Sequence, residues 1–157
     1  MNLALININQ LITVSAHGKR IKTGNEMRDI GIIEKAAVLL EGEKITWVGR
    51  MEELSMSSLG EADILDCLNN VVMPGFVDAH THLLFAGSRE DEFAMRSAGA
   101  TYQEIAEEGG GILKTVHAVR LASKKELKKH ARRWLNAMLR HGTTTVEIKS
   151  GYGLDSE

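Results

Sequence analysis

Cysteine and proline are almost missing from this chain: Cys67 and Pro74 are the single instances in 157 residues. One thiol excludes an internal disulfide and fits a reducing compartment. Average usage of about 5% would give roughly eight prolines; the sequence offers no reason for the shortage, but it makes Pro74 a landmark. Charge of one sign is also missing. With 19 Lys+Arg against 21 Asp+Glu the net charge is −2, which argues against a nucleic-acid binder or a polybasic membrane-surface protein, since both need a clustered positive field. Long apolar runs are absent as well: residues 36–40 form one of the longest, far short of the roughly 20 residues that span a bilayer. No basic segment followed by an apolar block opens the chain, so no secretory signal is read. These exclusions predict a cytoplasmic protein that partners neither nucleic acid nor membrane. What remains, 43% hydrophobic and 25% charged, is ordinary for a globular chain with a core.

The pattern along the chain changes at Pro74. Before it, Leu3-Ala-Leu-Ile-Asn-Ile8 and Leu11-Ile-Thr-Val14 read as two β-branched strands. Ala37-Val-Leu-Leu-Glu41 and Lys44-Ile-Thr-Trp-Val48 flank Gly42-Glu43, which suits a type II′ hairpin. Residues 30–33 and 63–66 add edges, and 15–29 read as a loop. The expectation is a small, mostly antiparallel β layer. The run Val71-Val-Met-Pro-Gly-Phe-Val77 predicts a strand buried on both faces. A long glycine-bearing connection to about Gly111 follows, and from there the chain is expected to turn helical. Ser123-Lys-Lys-Glu126 is a capping box, and Leu127, Ala131, Trp134, Leu135, Met138 and Leu139 recur at helical spacing until Gly142. Thr143-Thr-Thr-Val-Glu-Ile148 is then a second β-branched strand. Strand, helix and strand make a parallel βαβ unit. The fold class is therefore α/β. A (β/α)₈ barrel takes about 250 residues, so the 157 residues are expected to be the N-terminal part of something longer.

The chemistry concentrates in Asp78-Ala-His80-Thr-His82. Alternate residues on a strand share a face, so His80 and His82 aim together and Asp78 with them. Two imidazoles on one rigid segment can reach one metal ion, and Asp78 could fix a tautomer or add a ligand. Catalytic zinc sites use three protein ligands, so further ligands must come from elsewhere. His17, His117, His130 and His141 lie outside strand-end positions and read as solvated. Lys124, Lys125, Lys128, Lys129, Arg132 and Arg133 fall opposite the apolar stripe of their helix and read as a solvated face. Gly109-Gly-Gly111 lacks the Gly-x-x-x-x-Gly-Lys pattern of a nucleotide cradle and reads as a hinge or a close approach to substrate.

Pro74-Gly-Phe-Val-Asp-Ala-His-Thr-His82 resembles the opening motif of the amidohydrolase superfamily. Its members are metal-dependent hydrolases on a (β/α)₈ barrel, with an accessory β-sandwich built from both chain ends. The resemblance implies that 1–72 is the N-terminal part of such a composite sandwich and 73–157 the first βαβ portion of the barrel. Phe85-Ala-Gly-Ser-Arg-Glu90, Glu108-Gly-Gly-Gly-Ile112 and Lys149-Ser-Gly-Tyr-Gly-Leu154 narrow it further. They are similar to the branch that hydrolyses the ring C–N bond of 4-imidazolone-5-propanoate to N-formimidoyl-glutamate in histidine degradation. By position, the resemblance makes His80 and His82 two ligands of one divalent or trivalent ion, zinc or iron. Arg89 would bind the propionate of this small-molecule substrate, consistent with bidentate carboxylate recognition by a guanidinium, and Tyr152 would contact the substrate. The general acid/base and the other ligands are implied to lie outside these residues, so the stretch alone is expected to be inactive. Lys149 is not carried over as the metal-bridging carboxylated lysine of some members, because that lysine belongs to a later strand. The alternatives are another ring amidohydrolase, such as a deaminase acting on guanine, and a non-catalytic metal-binding module. A homodimer of the intact protein is left open.

Overall fold

A computed structural model describes residues 2–154, with the backbone only at Met56. The chain divides into two compact units after Pro74.

The first unit is organised by β1 (Asn2–Ile12). It pairs antiparallel with β2 (Ile32–Glu41), which pairs antiparallel with β3 (Lys44–Arg50). The other edge of β1 takes β4 (Asp63–Asp66) and β5 (Val71–Val72), both parallel to it. The layer is thus mostly antiparallel, as expected, with two short parallel strands added along one edge of β1. The two strands expected before residue 15 are one strand as far as Ile12, because Gln10 stays paired with Glu34 on one side and Val71 on the other; a register shift between Leu5 and Ile8 places an extra residue in β1. Asn7 sits there at φ 54°, and its side-chain amide donates to Asp66 Oδ2 at 3.0 Å. Asparagine tolerates this backbone region better than branched residues do. Gly42 at φ 61° opens the two-residue turn between β2 and β3 as expected. Ile8, Leu11, Ala36 and Val38 form the buried cluster, with Leu5, Ile33, Leu40, Cys67 and Val72 packed against it. A short helix, α1 (Met56–Leu59), follows β3.

In the second unit β6 (Phe76–Thr81) and β7 (Thr143–Ile148) are parallel. Between them lie α2 (Glu90–Ser97), α3 (Tyr102–Glu107), α4 (Ile112–Leu121) and α5 (Lys124–Arg140). The α5 capping box is present: Ser123 Oγ accepts from the Glu126 amide at 3.2 Å, and Glu126 Oε2 accepts from the Ser123 amide at 2.9 Å. The Ser123 hydroxyl, donating to Glu126 Oε2 at 2.7 Å, and after it the Ser123 amide hold the Glu126 carboxyl below the usual carboxylate range. Thr101 and Glu104 make a second box at the start of α3. The basic residues of α5 are exposed, as expected of a solvated face.

One expectation fails here. The apolar run at 71–77 is not a single strand buried on both faces. Val71 and Val72 belong to the first sheet and Phe76 starts the second, with Met73-Pro-Gly75 as the joint. No residue of β6 is buried, and Val77 is 66% exposed. A two-stranded sheet offers little to cover its faces, and the helix that packs closely on it, α5, sits against β7. Gly75 is needed at the joint for room: a Cβ there would lie 2.2 Å from Thr144 Oγ1. Among the described residues, no helix is long and apolar enough to cross a membrane.

Candidate metal and substrate site

β6 carries His80, and His82 follows directly after its last residue, Thr81. The backbone stays paired there, since Thr81 accepts from the Lys149 amide at 2.9 Å. The two imidazoles meet edge-on, with ring centroids 5.2 Å apart and their Nε2 atoms 3.4 Å apart. Two nitrogens bound to one tetrahedral ion at about 2.1 Å stand about 3.4 Å from each other. The pair therefore fits a shared ion. Asp78 does not meet either ring: its Oδ1 accepts from the His80 backbone amide at 3.0 Å, which braces the strand end. The expected tautomer-fixing bond is replaced by this turn-like one, the local bond a short carboxylate makes to the amide two residues on.

His82 is held by packing. Its Nδ1 is buried with no hydrogen-bond partner among the described residues, an arrangement that costs roughly 1–3 kcal/mol when nothing compensates it. Gly151 lies against that nitrogen so closely that a Cβ would stand 2.6 Å away. The Tyr152 ring stacks at an angle on His82, centroids 5.1 Å apart. A ring kept in place at such a cost, with its other nitrogen aimed at a second imidazole, suits a ligand better than a core histidine.

Beside His82 is a hollow of about 180 Å³ lined by Phe85, Gly87, Ser88, Arg89, Thr115 and Tyr152 as well. Arg89 and Tyr152, singled out in the sequence, thus share one cavity with His82. Arg89 stands just before α2, and its guanidinium faces Glu92 at 3.8 Å. Glu92 is itself anchored, accepting the Gly111 amide at 2.9 Å. Nearby, the Ser88 hydroxyl holds the Glu90 carboxyl below its usual range, and Lys114 does the same for Asp91. The wall at Phe85 is backed by Trp134 of α5, stacked at 6.3 Å.

Several contributors escaped the sequence. Glu92 carried a signal, since it lies three residues beyond Arg89, within reach of its side chain. Thr115 and Arg120 carried none: the helix expected after about Gly111 holds both, but no spacing rule shows which distant residues they meet. Thr101-x-x-Glu104 would have marked α3. The three glycines at 109–111 do not line the hollow: Gly110 fits against Ile105 of α3, and Gly111 starts α4. His117, His130 and His141 are exposed, and His17 faces Asp29. Lys149 is paired with Glu147. Among the described residues, no group of three or more His, Cys, Asp or Glu side chains is gathered to hold a metal.

The sequence profile of the amidohydrolase family matches residues 71–149, a span that holds both histidines and both strands of the second unit. The chain belongs to the amidohydrolase family. Members of this superfamily are metal-dependent, which agrees with the paired imidazoles of this amidohydrolase chain. It is 47% identical over 152 residues to an imidazolonepropionase of Alkaliphilus oremlandii, covering 96% of this chain and 36% of the relative. It is 46% identical over 157 residues to an imidazolonepropionase of Bacillus cereus, covering all of this chain and 36% of the relative. The chain thus spans 36% of the length of these curated relatives. Among solved structures it resembles E. coli guanine deaminase, with TM-score 0.64 at 19% identity over 94% of this chain and 29% of the deaminase. That likeness establishes a mixed α/β amidohydrolase fold and nothing about substrate.

Proposed function

We propose that the intact protein is an imidazolonepropionase, hydrolysing the ring C–N bond of 4-imidazolone-5-propanoate to N-formimidoyl-glutamate. The observation that carries this reading is the hollow beside β6, where His82, Arg89 and Tyr152 line one space. The first unit then serves as part of a composite β-sandwich, and β6, α5 and β7 as the opening of a (β/α)₈ barrel. Chemistry sits at the C-terminal end of β6, where barrel enzymes place it.

His80 and His82 would hold one ion, zinc or iron, through their Nε2 atoms; imidazole suits both. Such an ion, when bound, supplies Lewis-acid polarisation of a carbonyl and acidification of a water. The chain's own residues do the rest of what these 157 positions can do. Asp78 fixes the strand end that presents His80, through the backbone bond at 3.0 Å. Gly151 and Tyr152 fix the plane of the His82 ring. Arg89 meets the propionate carboxylate through its planar fork, and Glu92 keeps that fork oriented until substrate arrives. Tyr152 covers the ring. The proton that must reach the leaving nitrogen comes from a general acid, and none of the residues lining the hollow is assigned that task.

The test is the intact protein with 4-imidazolone-5-propanoate and with guanine. Ring hydrolysis of the first and no turnover of the second is expected. Arg89→Met should raise KM roughly 10–100-fold, the loss of one charged hydrogen-bonded pair, with a smaller change in kcat. An unchanged KM contradicts the carboxylate role.

A further inference from the structure

The loop after β7 carries Tyr152 yet has little of its own to hold it. Gly151 and Gly153 flank the tyrosine, and Leu154 sits at φ 49°, a backbone region unfavourable for a branched side chain. Its outer side is tied to α4 by one residue. Arg120 Nε donates to the Gly153 carbonyl at 2.9 Å, and Arg120 Nη2 donates to the Leu154 carbonyl at 2.9 Å. A guanidinium offers parallel donors in a fixed plane, so two consecutive carbonyls caught by one side chain fix the loop's direction as well as its distance. The inner side of the loop is wedged at Gly151 against His82 Nδ1. Helix α4 also supplies Thr115, a buried wall of the same hollow, and Ala118, whose Cβ would stand 3.0 Å from a Cβ on Gly87, another lining residue. The helix that shapes one wall therefore also sets the reach of the tyrosine opposite.

The geometry points to Arg120 as a positioning residue for substrate binding: it clamps the 151–154 loop so that the Tyr152 ring stays against His82 and closes the hollow. This rests on the reading of Tyr152 as a substrate contact. Arg120 touches no reacting atom, and its effect passes through Tyr152. A lysine at this position has one point donor in place of the fork and restores the clamp only in part.

The experiment is a double-mutant cycle in the intact protein, with metal content and loop exchange followed beside kinetics. Arg120→Met should raise KM about tenfold while kcat falls less and bound metal is unchanged, the pattern of lost ground-state binding. Arg120→Lys should recover part of that loss. In a Tyr152→Ala background, where no ring is left to position, the same change should cost less than about twofold in KM. Amide exchange at 151–154 should speed up in Arg120→Met, with the rest of α4 unaffected. An unchanged KM, or the full penalty persisting beside Tyr152→Ala, overturns the proposal. Inactivity of the unsubstituted protein on the imidazolone would instead overturn the functional reading, and unchanged exchange at 151–154 would then overturn the clamp on its own.

Discussion

The two units stabilise themselves by different means. In the first, a long strand with partners on both edges builds a continuous buried cluster around Ile8, which is 1% exposed. In the second, buried apolar residues are scattered: Leu83 lies in the connection after β6 and Ile105, Val116 and Ala131 on three separate helices, while Val77, Leu139 and Ile148 are exposed. Polar contacts do much of the local work there, through two capping boxes, the Arg89–Glu92–Gly111 chain and the Arg120 clamp. The unit with the weaker core is the one that carries the histidines. A site made of charged and ring side chains needs fixed directions more than deep burial, and hydrogen bonds to backbone supply direction. Stability and chemistry should therefore respond to different substitutions.

The largest effect expected is on chemistry. Replacing His80 and His82 together by alanine in the intact protein should abolish bound metal and lower activity on the order of 10³-fold or more, as removal of ligands rather than their supports would. Thermal stability measured without added metal should barely move. A double variant that keeps its ion breaks the division between the units. Ile8→Ala makes the opposite cut. It should destabilise by about 2–5 kcal/mol, the usual cost of a cavity in a packed core, while the surviving folded protein retains its metal and its KM. Denaturant unfolding and metal analysis check both halves.

A smaller and pH-dependent effect sharpens the polar side of the contrast. The Glu126 carboxyl titrates below its ordinary value because Ser123 bonds its charged form. A carboxyl lowered in the folded state adds stability that is present above its unfolded pKa and lost as pH falls through the lowered folded value. Glu126→Gln should thus be less stable than the parent at neutral pH, and the difference should shrink as pH falls through the carboxylate range. A gap that persists at low pH would mean that the carboxylate charge contributes nothing to the α5 cap.

Much of this arrangement was legible in the residues. The hairpin at Gly42-Glu43, the start of α5 at Ser123 and its stop at Gly142 are local signals, and local bonds decide them. The convergence of His80 and His82 follows from strand periodicity alone. What could not be read was set by contacts distant in sequence. The run at 71–77 has uniform apolarity, and only pairing with β1 separates Val72 from Phe76. Arg120 reaches Gly153 across 33 positions, and no spacing rule announces such a bond. Asp78 had the right parity for an imidazole partner, yet an amide two residues away was nearer.

The shared ion is best tested by anomalous diffraction from crystals of the intact protein loaded with zinc or iron. One peak within about 2.0–2.2 Å of the Nε2 atoms of both His80 and His82 is the predicted result. A peak that touches neither ring, or imidazoles turned apart with the ion elsewhere, would contradict the account.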